Sequence, residues 1–183
     1  MEVEKMQKFD DIRPVHDSEV KEVTRQLTSN PTFKRLVKPL IKPIPWFGFT
    51  TVMHSSKSVL DFQKKIIYPF MTRIIKKTTT ELSANGFEKL NKNDSYLFIS
   101  NHRDIVLDAG FLNMLLIDQK FNTCEIAIGD NLLIYPWITD LVRLNKSFIV
   151  KRKVSVREMI ATSKQLSEYI NDTIVRRKQS IWL

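Results

Sequence analysis

Apolar and polar positions alternate along this chain with two different periods, and the change of period divides it. Val20, Val23 and Leu27 fall on one face of a helix expected over 18–27, with Asp17 or Ser18 as its N-cap. Asn30 ahead of Pro31 marks the start of a second, short helix. In "KPLIKPIPWFGF", Pro39, Pro43 and Pro45 stand too close together for a helix, which predicts an irregular apolar connector. From 55 to about 78, Val59, Phe62, Ile66, Phe70 and Ile74 recur at steps of three and four, the mark of an amphipathic helix with a kink at Pro69.

The second half changes character. "ELSANGFEKL" reads as a short strand or turn with Gly86 in a permissive conformation, and "NKND" is a polar turn. Strands are then expected over 96–99, 125–128, 147–150 and 180–183, separated by helical segments over 108–117, 131–144 and 156 to about 176. The last of these helices opens with Ser155-Val156-Arg157-Glu158, a capping box that makes its start the best-marked boundary. Alternation of this kind predicts an α/β fold, a mixed sheet flanked by helices. The chain thus divides into an N-terminal basic helical region, 1–80, and an α/β domain, 81–183.

Composition and charge narrow the picture further. With 183 residues and 43% hydrophobic content the chain can bury one sizeable core. Its single cysteine, Cys124, has no partner for a disulfide or a zinc site, which favours a reducing compartment. Neither a signal peptide nor a spanning helix is expected, because no apolar h-region and no apolar run of about 18 residues occurs. The formal charge of +9 is localised: ten basic residues and only Asp61 lie between 31 and 80, so this segment carries the whole excess. A patch of that kind suits a polyanion, either an anionic membrane face or a nucleic acid.

Candidate chemistry concentrates at "YLFISNHRDIVLDAGFLNMLL", where a strand runs into Asn101-His102-Arg103-Asp104 and an apolar helix begins around Asp108. Strand-to-helix junctions in α/β domains present loops on a rigid sheet and offer free N–H donors. A histidine there can accept a proton near neutral pH, and a carboxylate on its other ring nitrogen fixes the tautomer. Asp104 or Asp108 could be that partner. The plainer reading is that Asp104 caps the helix, His102 is a polar loop residue and Asp108 sits where the helix dipole favours it.

"FISNHRDIVLDAGFL" resembles the first motif of the glycerolipid acyltransferases, the superfamily of glycerol-3-phosphate and 1-acylglycerol-3-phosphate acyltransferases. There a strand ending in Asn-His is followed by an aspartate and an apolar helix. "EIAIGDNLLIYPWITDLVRLNKSFIVKR" resembles the second block, and "ANGFEKL" the glycine-containing lead-in. The family spacing puts four residues between histidine and aspartate, whereas five separate His102 from Asp108, so either the loop bulges by one residue or Asp104 takes the role.

The resemblance implies a glycerol-3-phosphate acyltransferase-like fold and an O-acyltransferase that uses an acyl-CoA or acyl carrier protein thioester. The acceptor would be a glycerol phosphate or a lysophospholipid at the anionic inner face of the membrane, to which a cytoplasmic protein would bind peripherally. His102 would be the general base, and Arg152, helped by Lys151, Arg103 and Asn101, would hold the acceptor phosphate. It implies no metal and no cofactor beyond the thioester. It also implies a later Glu-Gly block after a strand. "SIWL" stands where that strand would be, so a chain truncated before the block, with little activity of its own, is expected.

Other chemistries find no support: there is no G-x-S-x-G elbow, no glycine-rich phosphate loop and no Cys/His cluster, and His16 and His54 are expected at the surface. The rival reading is a non-catalytic basic module that binds nucleic acid or an anionic membrane surface. Nucleic acid is the less favoured ligand, because the basic segment interleaves with aliphatic residues at helical spacing.

Overall fold

The computed structural model of the chain describes residues 8–101, 103, 104 and 106–183. These form two compact units. One contains Ala84–Ile134, Ser147–Leu183 and the described residues up to Pro14; the other contains Val15–Ser83 and Tyr135–Lys146.

The first unit is α/β, as the alternation predicts. Strands β1 (Leu97–Phe98), β2 (Glu125–Gly129), β3 (Ser147–Val150) and β4 (Ile181–Trp182) form one sheet. Their spatial order is β1-β4-β2-β3, and each neighbouring pair is parallel. The β1–β4 pairing reaches past the two-residue ladder. Ile181 N–H donates to Tyr96 O and Leu183 N–H to Phe98 O, both at 2.9 Å, and Ser100 N–H donates to Leu183 O at 3.3 Å.

Side chains alternate across a strand, so neighbouring residues feed opposite layers. Ile181 joins Phe148 and Tyr169 on one face, where helix α8 (Val156–Asn171) packs through Leu166, Tyr169 and Ile170. Trp182 joins Ile126 and Cys124 on the other, against Ala109, Leu112 and Leu116 of helix α6 (Leu107–Asp118). Asn113 would be costly among these apolar residues without partners. Its side-chain oxygen accepts from Cys124 N–H at 2.8 Å and its amide donates to Cys124 O at 3.3 Å. Helix α8 starts at its capping box: Glu158 accepts from the Ser155 N–H at 2.9 Å and from its hydroxyl at 2.7 Å. Those bonds hold the Glu158 carboxyl below its usual range.

The second unit is helical: α1 (Val20–Ser29), α2 (Pro31–Leu40), α3 (Trp46–His54), α4 (Val59–Phe62), α5 (Tyr68–Thr78) and α7 (Pro136–Leu144) surround Leu27, Phe33, Met53, Phe62 and Leu144. Asn30 caps α2 as expected, its side chain accepting from Thr32 N–H at 2.9 Å and Phe33 N–H at 3.0 Å.

The connector expected over 38–49 is helix at both ends, and the places of its prolines explain why. Pro39 lies in the last turn of α2, and Pro45 in extended conformation is the residue before α3. Pro45, the residue before α3, leaves no helical hydrogen bond unmade, whereas Pro39 forfeits the one bond its N–H would give the preceding turn, a loss confined to the end of α2. A 3-10 turn, Asp17–Glu19, leads into α1, and Asp17 accepts from Val59 N–H at 2.8 Å instead of capping the helix. Between α4 and α5 a π-helical turn, Gln63–Ile67, takes the place of a simple kink. It falls just before Pro69, whose ring cannot follow an undistorted α-helical turn. Gly86 adopts φ 96°, the left-handed conformation its turn needs, and a 3-10 turn, Phe87–Lys89, follows it.

Candidate active site

In a parallel sheet with strand-to-helix connections, the loops leaving the strands' C-terminal ends gather along one edge. The segment after β1 carries Asn101, Arg103, Asp104 and Asp108; those after β2 and β3 carry Asp130 and Arg152. His102 lies outside the described residues. Two strands separate β1 from β3, so the segments bearing Asn101 and Arg152 are about 14 Å apart at the strand spacing.

The two aspartates divide the work of the first segment. Asp104 Oδ1 accepts from Val106 N–H at 2.8 Å and Leu107 N–H at 2.7 Å, which satisfies the free donors at the start of α6. Asp108, the second residue of that helix, reaches back: its Oδ2 accepts from Arg103 N–H at 2.7 Å and Asp104 N–H at 3.0 Å. Charge-assisted bonds of this type contribute about 1.5–3 kcal/mol each when shielded from water and less where exposed. The two carboxylates together tie the exit of β1 to α6. Ser100 is anchored as well, its hydroxyl accepting from Trp182 Nε1 at 3.0 Å. Asn101 and Arg103 are exposed.

Arg152 is positioned by its own backbone. Asp130 Oδ1 accepts from Arg152 N–H at 3.0 Å, which joins the segment after β3 to the end of β2. A Cβ on Gly129 would lie 2.4 Å from Asn131 Oδ1 and 3.0 Å from Arg152 Nε, so a larger residue there would make both side chains shift. Among the described residues no carboxylate pairs with the Arg152 guanidinium, and the residue is exposed. Its fork is suited to a phosphate or carboxylate. Lys151 differs: its ammonium forms an ion pair with Asp11.

Gly129 and Asp130 directly follow the strand expected over 125–128, but nothing in their spacing ties them to Arg152. Elsewhere, His54 is exposed and within 2.8 Å of the Thr28 hydroxyl, whereas His16 is half-buried, its N–H donating to Glu19 at 2.7 Å. Among the described residues no group of His, Cys, Asp and Glu is arranged to hold a metal.

A family model described as Acyltransferase matches residues 81–183, more than half of the chain. No curated protein and no solved structure matches it significantly.

Proposed function

This chain belongs to the acyltransferase family, and from that premise we propose that it is an O-acyltransferase. In this reading it moves a fatty acyl group from an acyl-CoA or acyl carrier protein thioester to a hydroxyl of a glycerol phosphate or lysophospholipid. His102 takes the hydroxyl proton as the oxygen attacks the thioester carbonyl; the tetrahedral intermediate collapses, and the departing thiolate takes a proton in turn. The Arg152 fork holds the acceptor phosphate, with Arg103 and Asn101 at the opposite side and Lys151 adding positive potential. Asp108 is the carboxylate partner of His102.

The observation that carries this reading is the division of labour between the aspartates. Asp104 spends its Oδ1 on the first turn of α6, whereas Asp108 grips Arg103 and Asp104, the residues that follow the histidine. Asp108 is therefore the better candidate to orient the base.

The protein works at the anionic inner face of a membrane, peripherally. No helix among the described residues is long and apolar enough to cross one. Helices α2 and α5 carry no acidic residue, α2 bears Lys34, Arg35 and Lys38, α5 bears Arg73, Lys76 and Lys77, and Phe47 at the start of α3 is 82% exposed. Cations beside exposed apolar side chains suit a phospholipid headgroup layer.

The test is acyl transfer by the full-length protein from palmitoyl thioesters to glycerol 3-phosphate and to lysophosphatidate, with and without anionic vesicles. His102→Ala is expected to lower kcat by about two to four orders of magnitude. Turnover near that of the parent would remove His102 from the chemistry.

A further inference from the structure

The helical unit holds a cavity that the chemistry above does not use. It encloses about 420 Å³, within the span of small-molecule sites, and most of its wall comes from residues 33–73, ahead of the family match. Phe33, Phe49, Met53 and Phe62 form a buried floor. Leu36, Leu40, Ile44 and Val52 line the same cavity and are 39–54% exposed, so its lips face water. Leaving apolar surface of this kind uncovered is unfavourable.

Two cations, Lys65 and Arg73, are the charged residues in the wall, and they are not equivalent. Lys65 is committed: its ammonium lies 2.8 Å from Asp61 and donates to the Ser55 carbonyl at 3.1 Å. Arg73 donates from Nη1 to Leu40 O at 3.2 Å, and among the described residues no carboxylate neutralises it. One guanidinium with unused donors therefore stands at the edge of a groove that is otherwise apolar. The nearby turns of α2 and α5 add only positive charge.

We propose that this cavity binds one single-chain lipid anion, a fatty-acyl tail laid along the Phe33–Phe62 floor with its terminal carboxylate or phosphate on Arg73. The tail supplies the apolar cover that Leu36, Leu40, Ile44 and Val52 lack. The head supplies the counter-charge that Lys65 already has and Arg73 does not. The site belongs to the helical unit alone. It rests on the lipid chemistry proposed above only in that such molecules would be at hand.

The experiment is direct binding by calorimetry, on the full chain with no acyl acceptor present, so a failure of acyl transfer could not imitate a negative result. The probes are alkyl carboxylates, alkyl phosphates and alkanols of eight to sixteen carbons, each below its micellar concentration. Affinity is expected to rise about fourfold per methylene until the cavity is full. Both anion series should bind at least tenfold tighter than alkanols of equal length, and the better anion identifies the head. Arg73→Gln should abolish that preference while alkanol binding persists. Val52→Trp, at an exposed lip where the fold tolerates bulk, should block every series while the thermal unfolding midpoint stays within a few degrees. Binding indifferent to chain length, an anion preference that survives Arg73→Gln, or undiminished binding by folded Val52→Trp would each overturn the proposal.

Discussion

The two ends of strand β2 handle charge in opposite ways. At its N-terminal end, Glu125 is 2% exposed and its carboxylate meets side chains: the Tyr169 hydroxyl donates to it, and Arg177 Nη1 donates at 2.8 Å while the guanidinium lies over the Tyr169 ring. Burial, and then the Glu125 charge, push the Tyr169 hydroxyl far above its usual value. Burial works against the Arg177 charge as well, but Glu125 and Tyr169 more than offset it and the guanidinium is held above its usual value. At the C-terminal end, Asp130 spends its carboxylate on backbone N–H groups, and among the described residues the neighbouring guanidinium of Arg152 has no acidic partner. The first end is a saturated network whose work is structural. The second uses backbone to hold an unsaturated cation in place, and such a cation can accept a ligand.

Perturbing each end should therefore move different observables. Arg177→Leu leaves Glu125 buried with only a hydroxyl, so the free energy of urea unfolding is expected to fall by about 3–5 kcal/mol, while turnover per folded molecule stays unchanged. A loss of turnover without a loss of stability would dissolve the contrast. Arg152→Ala is the mirror case. Removing a charge-assisted phosphate contact should raise KM for the acceptor by about one to two orders of magnitude, with unfolding within about 0.5 kcal/mol of the parent. Arg152→Lys, which keeps the charge but not the fork, should recover only part of the loss.

The aspartates give a finer test. Asp104→Ala removes a helix cap and should cost about 1 kcal/mol of stability. Asp108→Ala should cost more in kcat than in stability; the reverse ranking would exchange their roles. The smallest effect belongs to an exposed pair. The hydrogen bond from Lys65, then that from the Lys57 N–H, holds the Asp61 carboxyl below its usual range. A depressed carboxyl contributes stability above the unfolded value, about 3.9, and that contribution disappears as pH falls through the folded value. Acid titration of unfolding should thus show Asp61→Asn flattening the curve below about pH 4, by no more than a few tenths of a kcal/mol.

Local rules were legible in the sequence wherever one residue type had one physical use. The Ser155–Glu158 box, the Asn30 cap and the strands around Ile126 and Phe148 all read correctly, because each depends on neighbours within four residues or on a two-residue period. The prolines misled because a proline excludes a helix only where helix must continue on both sides of it, and Pro39 is the second-last residue of α2 while Pro45 precedes α3. The site was legible as types but not as partners. Asp104 and Asp108 stood out beside His102, yet which of them caps α6 follows from backbone direction in the turn. Asp130 finds Arg152 only because β2 and β3 are adjacent and parallel, a pairing across 22 residues that no local pattern carries. The apolar cavity was hidden for the same reason: its lips and floor come from several helices, each of which reads singly as an ordinary amphipathic segment.

The position of β4 has a consequence for how the protein is made. It follows β1, β2 and β3 in sequence, yet it lies between β1 and β2. On a ribosome, β2 and β3 emerge within some twenty residues of one another and can pair at once, whereas β1 finds its sheet neighbour only after residues 181 and 182 have appeared. Until then the inner edge of β2 and the whole of β1 present unpaired backbone groups, which are sites for mispairing between nascent chains. Joining β1 to the rest closes a loop of more than eighty residues and should be the slow step of folding. The segment bearing Asn101 to Asp108 leaves β1, so the candidate active site takes shape in that same late event.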